Sequence, residues 1–297
     1  MRRHFFTLDV FTTQRFAGNP LAVVLEPDGL DTAAMQTIAR EFNLAETVFV
    51  FPPADGKHRA KLRIFTPAHE LPFAGHPTVG TAVLLGLLDG GKGTREIVLE
   101  ENVGPVACTV EPGSGAGSAS FALPRQPERV GTVKDVAKLA AALGLSPDDL
   151  GCENFVPENW SAGNPFTFVP VRGLKAIGRA QPDMGKWEAA FGGGPAGAYL
   201  FCREVSNAGS SFHARMFAPR LGIREDPATG SAVAAFAGVV AASGKLADGE
   251  HALVVEQGFE MGRPSLIRLP LTMRGGKLAS AAIGGDAVVV SEGRIEA

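Results

Sequence analysis

Three short segments occur twice in this chain, in the same order, and this internal repeat restricts the possible folds more than any other feature. The repeated pairs are, in chain order, AGNPLAVV and AGNPFTFV from Ala17 and Ala162, RIFTP and RMFAP from Arg63 and Arg215, and HPTVGTAV and DPATGSAV from His76 and Asp226. The two copies of each segment lie about half of the 297-residue chain apart. Self-similarity at a fixed spacing is typical of repeated structural units. We therefore predict two similar halves that arose by duplication.

The boundary between the halves is predicted in the glycine- and serine-rich segment 112–120, whose composition is typical of a flexible connection. The N-terminal half is placed at residues 1–118 and the C-terminal half at residues 119–283, with the active site expected in the cleft between them. The last strand-like run, about residues 284–297, is expected to return to the first half.

Apolar and β-branched runs bounded by Gly, Pro and Asn predict several strands in each half. Helices are predicted, in chain order, at residues 32–42, 77–88, 133–143 and 227–243. Each half contains one long apolar helix, the first opening at Pro77 and the second at Pro227. The expected fold class is therefore α/β (α+β), with a sheet wrapped around a central helix in each half.

Composition excludes several classes of protein. With 45% hydrophobic and 20% charged residues, the chain has the make-up of a soluble globular protein. A net charge of −3 without a dense basic stretch gives no reason to expect nucleic acid or a membrane as partner. Cys108, Cys152 and Cys202 are scattered and odd in number, which argues against a disulfide framework and a zinc cluster and favours a reduced cytoplasm. Neither a signal peptide nor a membrane span is predicted.

The repeated His76-Pro77 and Asp226-Pro227 segments carry the most informative chemistry. A helix is predicted to start at each of them, and the small residues that follow would leave the first-turn N–H groups open to an anion, such as a substrate carboxylate. Taken singly, an Asp-Pro start is usually only a helix cap. Two different titratable groups at matching places instead indicate divided roles in proton handling.

Glu46 is the one carboxylate inside the apolar run NLAETVFV, where a helix is expected to give way to a strand. The second half has Gly197 or a neighbour at the matching place, so Glu46 breaks the internal symmetry. It is either an exposed residue at a strand edge or a carboxyl group in a partly apolar pocket, with a pKa suited to proton transfer.

Four segments of the chain resemble, in order and spacing, the motifs of the PhzF-like family of phenazine biosynthesis: DVFTTQRFAGNPLAVVL, FNLAETVFV, RIFTPAHELPFAGHPTVG and ARMFAPRLGIREDPATGSA. The resemblance implies a diaminopimelate-epimerase-like fold, usually a homodimer, and an isomerase without a cofactor. It implies acid/base catalysis by Glu46 with support from His76 and Asp226. The substrate-binding positions that it implies are Gly75, Gly230, Ser231 and Asn19.

Other functions fit the sequence less well. The racemases and epimerases of this fold use a cysteine pair at the two helix starts, and no cysteine lies there. His69, Glu70 and His76 lack the H-E-x-x-H spacing of a metal site, and prolines interrupt any helix between them. Ser231 lacks the GxSxG elbow of a nucleophile, and the glycine-rich stretches do not form a dinucleotide fingerprint.

The sequence therefore predicts an isomerase that moves a proton between carbons of a small carboxylate-bearing substrate by Glu acid/base catalysis, without metal or other cofactor. The resemblance implies a substrate similar to trans-2,3-dihydro-3-hydroxyanthranilate, on which the best-known reaction of the PhzF-like family acts. A small-molecule binding protein without catalysis remains the alternative, since it would keep both helix starts but would not need Glu46.

Overall fold

The computed structural model describes residues 1–90 and 92–297, and its contacts divide the chain into two compact units. The first unit comprises Met1–Ala122 and Gly284–Ala297, and the second comprises Leu123–Ile283. The last strand starts in the second unit and ends in the first, where it pairs antiparallel with the first strand of the chain.

The first unit contains the following strands and helices, together with the end of the last strand. They are β1 (Arg2–Val10), β2 (Asn19–Leu25), α1 (Thr32–Phe42), β3 (Glu46–Phe51), β4 (Ala60–Phe65), β5 (Glu70–Leu71), α2 (Gly75–Leu88), β6 (Arg95–Glu101), β7 (Gly104–Pro112) and β8 (Ala116–Ala122).

The second unit contains a similar succession of elements with additional short helices. They are β9 (Glu128–Thr132), α3 (Val136–Ala142), β10 (Glu158–Ser161), β11 (Pro165–Pro170), α4 (Leu174–Ile177), α5 (Met184–Phe191), β12 (Gly197–Cys202), β13 (Phe212–Ala218), β14 (Ile223–Asp226), α6 (Gly230–Ala242), β15 (Gly249–Gln257), β16 (Ser265–Arg274) and the shared strand β17 (Lys277–Glu296).

One apolar helix lies at the centre of each unit. Every residue of α2 from Gly75 to Gly86 is buried, and the helix packs against strands β1, β2, β3, β6, β7 and β8. In α6, the residues from Ala232 to Val240 are all buried, and this helix packs against β9, β10, β11 and β16. A helix that is apolar on all sides is stable only when other elements surround it. Both helices therefore fill the core of their own unit.

The strand pairings repeat between the units, as the duplicated segments predict. In the first unit β2 lies parallel to β3, β3 antiparallel to β4, and β4 parallel to β6. In the second unit β11, β12, β13 and β15 pair in the same parallel, antiparallel, parallel order.

The registers of these strands also agree. Leu21 of the first repeat segment lies opposite Glu46, and its counterpart Phe166 lies opposite Gly197. Gly197 therefore holds the place in the second unit that Glu46 holds in the first, which confirms that the carboxylate is an asymmetric addition to a repeated frame.

An arginine–glutamate pair also occurs in both units. Arg63 donates from Nε and Nη2 to the two carboxylate oxygens of Glu70, at 2.8 and 2.6 Å. Arg215 binds Glu225 in the same way, at 2.7 and 2.8 Å. Such two-point contacts between a guanidinium and a carboxylate fix the geometry of both groups. The first arginine–glutamate pair joins β4 to β5, and the second joins β13 to β14. In each unit the glutamate lies in the short strand that precedes the central helix.

Segment 112–120 corrects one prediction. It is not a flexible connection but the turn of a hairpin, because β7 and β8 pair antiparallel on either side of residues 113–115, with Pro112 opposite Gly117. Gly113, Ser114 and Gly115 form the reversal, in which Gly113 donates its N–H to the Ala116 carbonyl at 2.8 Å. Composition alone does not distinguish a linker from such a turn.

The starts of the two central helices correct another prediction. α2 begins at Gly75, two residues before Pro77, because the Thr78 N–H donates to the Ala74 carbonyl and closes the first turn. α6 begins only at Gly230, so Asp226 is not its cap. Asp226 instead ends β14, where pairing with Met216 of β13 keeps the backbone extended. None of the helices among the described residues is long and apolar enough to cross a membrane.

Candidate functional site

Glu46 is the first residue of β3 and follows a reversal of the chain. Helix α1 ends at Phe42, and Asn43 takes a left-handed conformation with φ of 50°, which turns the chain back toward the sheet. Asn is one of the few residues other than Gly that adopt this conformation readily. The Glu46 side chain is 15% exposed, so it is mostly buried and still reaches solvent. This is not the exposed strand-edge glutamate that was the alternative.

His76 lies beside Glu46. It is the second residue of α2, its side chain is 6% exposed, and its Nε2 lies 3.3 Å from Oε2 of Glu46. The parallel pairing of β2 with β3 brings Glu46 next to Leu21, against which the first turns of α2 pack through Gly80. A Cβ at position 80 would lie 2.7 Å from the Leu21 side chain, so glycine allows this close approach.

Burial keeps the His76 ring neutral. It lowers the pKa of His76 to about 3, and a hydrogen bond to the backbone of Pro20 offsets only part of this effect. Because proline has no N–H, the ring donates its one proton to the Pro20 carbonyl. The nitrogen that faces Glu46 is then left as an acceptor. The contact of Glu46 with His76 is therefore one between a carboxyl group and a neutral imidazole, not an ion pair.

Asn19 and Gly75 lie near this pair. Asn19 is fully buried at the start of β2, directly before Pro20. Gly75 is the first residue of α2. Ala74, which precedes it, has no polar side chain with which to cap the helix. The first unit thus brings together Glu46, His76 and the backbone around Gly75, three of the features that the sequence predicts for the site.

Asp226 belongs to the second unit and forms a hydrogen-bonded cluster there. The Thr229 hydroxyl donates to Oδ2 of Asp226 at 2.6 Å. Gln257, the last residue of β15, donates from Nε2 to the Asp226 carbonyl oxygen at 2.7 Å and to Oγ1 of Thr229 at 3.0 Å. Its Oε1 accepts the Thr229 N–H at 3.2 Å. Asp226, Thr229 and Gln257 are called the Asp226 cluster below.

Gly230 and Ser231 are the first two residues of α6, immediately after this cluster. Gly230 is buried and Ser231 is half-buried. The helix closes its first turn with the N–H groups of Ala232 and Val233, which both donate to the Thr229 carbonyl. The N–H groups of Gly230 and Ser231 precede that turn, where a helix has no internal acceptor for them.

The residues considered for a metal site do not come together. Glu70 is held by Arg63, His69 contacts Thr66, and His76 faces Glu46. In the part of the chain that the structure describes, no group of three or more His, Cys, Asp or Glu side chains could hold a metal ion.

Glu101 is a buried carboxyl group that the sequence did not single out. Burial raises the pKa of Glu101 to about 8, although a hydrogen bond with Thr78 opposes the shift. Oε1 of Glu101 lies 2.7 Å from the Thr78 hydroxyl, which also lies 2.8 Å from the Ala74 carbonyl. The Thr78 hydroxyl therefore joins the Glu101 carboxyl group to the Ala74 carbonyl. This chain of bonds holds the first turn of α2, which carries His76.

None of the three cysteines belongs to either helix start. Cys108 is in β7, Cys152 is in the segment before β10, and Cys202 ends β12. All three are buried free thiols, and burial raises the pKa of each. Since a thiolate is the reactive form of cysteine, these residues are poorly suited to proton abstraction.

The comparison with known proteins agrees with the resemblance. The family model for phenazine biosynthesis-like proteins matches residues 8–293. The chain belongs to this family. An uncharacterized isomerase of Mesorhizobium japonicum is 52% identical over 99% of this chain and 98% of its own length. A trans-2,3-dihydro-3-hydroxyanthranilate isomerase of Pseudomonas chlororaphis is 33% identical over 98% of this chain and 99% of its own length.

Solved structures confirm the predicted fold class. The phenazine biosynthesis protein of the PhzF family from Bacillus anthracis superposes with a TM-score of 0.88, at 28% identity, and each chain is covered completely. A hydroxyproline epimerase from Agrobacterium vitis superposes with a TM-score of 0.63 at only 10% identity, over 99% of this chain and 92% of its own, which indicates a shared fold alone. The fold is of the diaminopimelate epimerase type. Full-length relatives that are named isomerases make the protein an isomerase of the PhzF family.

Proposed function

We propose that the protein is a cofactor-independent isomerase in which Glu46 moves a proton between two carbons of a small carboxylate-bearing substrate. The observation that carries this proposal is the contact between Glu46 and a histidine whose pKa burial lowers to about 3. A positively charged histidine would favour the ionised carboxylate and oppose its protonation. A neutral ring places no cation there and offers an acceptor for the carboxyl proton. Glu46 can therefore both take up a proton and release it.

The reaction needs only proton transfer and the movement of a double bond. The Glu46 carboxylate removes a proton from a carbon beside a carboxylate, enol or diene, and the C–H electron pair enters the conjugated system. The Glu46 carboxylic acid then returns the proton to another carbon of the same molecule, so no bond is oxidised or reduced. While Glu46 holds the proton, its partly exposed carboxyl group can exchange it with solvent.

His76 has a positioning role in this scheme, because its pKa of about 3 makes it a poor proton carrier near neutral pH. Asp226 would support the charge that develops on the substrate, a role implied by the family motif that it matches. The N–H groups at Gly75, Gly230 and Ser231, with Asn19, would bind the substrate, since donors at helix starts attract carboxylates.

The name of a relative supports the proposed substrate class. The Pseudomonas chlororaphis protein acts, by its name, on trans-2,3-dihydro-3-hydroxyanthranilate, a small unsaturated carboxylate. We propose a substrate of this kind for the present protein. A homodimer and a cytoplasmic location remain predictions.

The test is incubation with trans-2,3-dihydro-3-hydroxyanthranilate and a panel of small unsaturated carboxylates in D2O, read by mass spectrometry. We expect at least one compound to be isomerised with deuterium from solvent at the protonated carbon. If a protein folded like the wild type neither isomerises nor deuterates any of them, the proposed reaction and substrate class are wrong. Binding of a compound without exchange would instead favour a binding protein.

A further inference from the structure

We propose that Gln257 is a positioning residue that, through Thr229, directs a hydroxyl proton onto the carboxylate of Asp226. The inference rests on the proposed function, because it assumes that Asp226 takes part in the reaction. It deepens that function by adding two residues, Gln257 and Thr229, that the family motif around Asp226 does not assign a role.

The orientation of the Gln257 amide follows from its neighbours. The Thr229 N–H is a donor and needs an acceptor, and it meets Oε1 of Gln257 at 3.2 Å. The Asp226 carbonyl oxygen is an acceptor and needs a donor, and it meets Nε2 at 2.7 Å. A flipped amide would place donor against donor and acceptor against acceptor, so only one orientation satisfies both backbone groups.

This orientation fixes the direction of the Thr229 hydroxyl. Nε2 of Gln257 also lies 3.0 Å from Oγ1 of Thr229, and since an amide nitrogen can only donate, the hydroxyl accepts there. A hydroxyl has a single proton, which is then available for Oδ2 of Asp226 at 2.6 Å. The three residues form a directed chain of donors from Gln257 through Thr229 to Asp226. A donor aimed at a carboxylate favours its ionised form.

The backbone around the cluster shows why Gln257 can hold this position. The Gln257 side chain is fully buried, and its backbone pairs with Ala214 of β13 and Ser265 of β16. The next residue, Gly258, has φ of 79°, and a Cβ there would lie 2.6 Å from the Pro227 carbonyl oxygen. Glycine thus allows the end of β15 to lie directly against the segment after Asp226.

The segment between β14 and α6 depends on this contact. Residues 227–229 belong to neither a strand nor a helix, so their polar backbone groups need partners elsewhere. Gln257 supplies partners for the Asp226 carbonyl and the Thr229 N–H with one uncharged side chain. A change at Gln257 should therefore act on the site through Asp226 and Thr229, the two residues that its side chain binds.

Three variants test the inference in the full-length protein. Thr229→Val removes the hydroxyl at nearly constant size, and Thr229→Ser restores it. Gln257→Glu keeps the size but places oxygens against the Asp226 carbonyl and Thr229 Oγ1, so the hydroxyl proton acquires a competing acceptor. Gln126→Glu is the matched control, because Gln126 is exposed in the same unit and its side chain donates a hydrogen bond to the Ala279 carbonyl, away from Asp226 in the chain.

We expect Thr229→Val and Gln257→Glu to lower kcat about tenfold or more, the size of a lost hydrogen bond to a charged group. KM should change much less, and the acidic limb of the kcat/KM pH profile should move to higher pH, because a carboxylate without its donor protonates more readily. Thr229→Ser should restore both the rate and the profile. Gln126→Glu should behave as the wild type.

The outcomes separate this inference from the proposed function. If Asp226→Asn retains wild-type turnover, Asp226 has no part in the reaction and that part of the proposed function fails. If Asp226→Asn is inactive while Thr229→Val and Gln257→Glu keep the wild-type rate and pH profile, the positioning role is wrong and the proposed function stands. Slower variants with an unchanged pH profile also contradict the positioning role.

NMR titration of the Asp226 carboxyl group gives a readout independent of turnover. Thr229→Val should raise the pKa of Asp226, and an unchanged pKa would contradict the positioning role.

Discussion

At the scale of single residues, two buried groups in the first unit respond to pH in opposite directions. Burial keeps His76 neutral down to a pH of about 3, whereas it keeps Glu101 protonated up to about 8. Both belong to the first turn of α2 or contact it. At neutral pH, both His76 in the first turn of α2 and Glu101 beside that turn are therefore uncharged.

The lowered pKa of His76 predicts a loss of stability in acid. In the unfolded chain the imidazole binds a proton below a pH of about 6.5, but in the folded protein only below about 3. The unfolded state therefore binds more protons, and the free energy of unfolding falls as the pH drops from 6.5 toward 3, by at most about 1.4 kcal/mol per pH unit. His76→Gln should show a smaller decrease when urea unfolding is measured at pH 7 and pH 4.5. Equal decreases in both proteins would contradict the buried neutral ring.

Glu101 predicts the opposite slope. The unfolded carboxyl group ionises above a pH of about 4.5 and the folded one above about 8, so stability is lost as the pH rises through this range. Glu101→Gln should therefore lose less stability than the wild type between pH 5 and pH 8, as followed by thermal unfolding. Exposed Glu41 provides the control, since Glu41→Gln should leave the wild-type slope intact.

The sequence could single out Glu46 and His76 as candidates, because both lie in motifs with local signals, and the structure places them 3.3 Å apart. It could not predict Gln257 or Glu101. Each of these residues is the last of its strand, and its function depends on a partner, Thr229 or Thr78, that the fold brings near from another part of the chain. No periodicity or spacing within the sequence reports such contacts.

At the scale of elements, the central helices depend on small residues at their contacts. In α6, a Cβ at Gly238 would lie 2.6 Å from the indole ring of Trp160 in β10 and 2.9 Å from Pro127. Both neighbours are rigid rings that cannot move aside easily. The close packing of α6 against β10 therefore needs the missing side chain.

Gly238→Ala should destabilise the protein although alanine favours helices. Overpacking of a core costs about 1–3 kcal/mol, whereas the gain in helix propensity is about 1 kcal/mol. Urea unfolding should show the net loss. Gly56→Ala is the control, because no atom lies within 4 Å of a Cβ there. A Gly238→Ala protein as stable as the wild type would show that β10 can adjust its distance from α6.

The helix starts show where element prediction from sequence reaches its limit. Proline at the first helical position is a good general rule, yet α2 begins at Gly75 and α6 at Gly230. Pairing with Met216 keeps Asp226 extended, and Gln257 binds the following turn. These contacts across the fold override the local preference for a helix at Asp-Pro.

At the scale of the whole molecule, the repeat accounts for the frame and the differences between its copies account for the chemistry. The two units share their strand pairings and their arginine–glutamate pairs. The units differ where Glu46 corresponds to Gly197 and where His76 corresponds in sequence to Asp226. The repeat was visible in the sequence, because three pairs of segments have similar residues in the same order. The arginine–glutamate pairs were not, because Glu70 and Glu225 lie at different distances from their arginines in the chain.

The return of β17 to the first unit predicts the effect of a truncation. From Ala287 to Glu296 this strand pairs with the whole length of β1. Deletion of residues 284–297 should abolish the hydrogen-exchange protection of those β1 amides that donate to β17, whereas the amides that donate to β2 keep their acceptors. Deletion of residues 296–297 alone should retain protection at Thr7–Val10, which pair further along the strand. Unchanged protection of β1 after the longer deletion would contradict this account.

The most direct test of the account is the rate of solvent deuterium incorporation by Glu46→Gln, measured in D2O by mass spectrometry on a turned-over substrate. The variant keeps the shape of the side chain but cannot carry the proton. We predict incorporation at least about a hundredfold slower than in the wild type, the range of general acid–base catalysis, with Glu41→Gln unchanged. A folded Glu46→Gln protein that incorporates deuterium at the wild-type rate would contradict the central claim that Glu46 carries the proton.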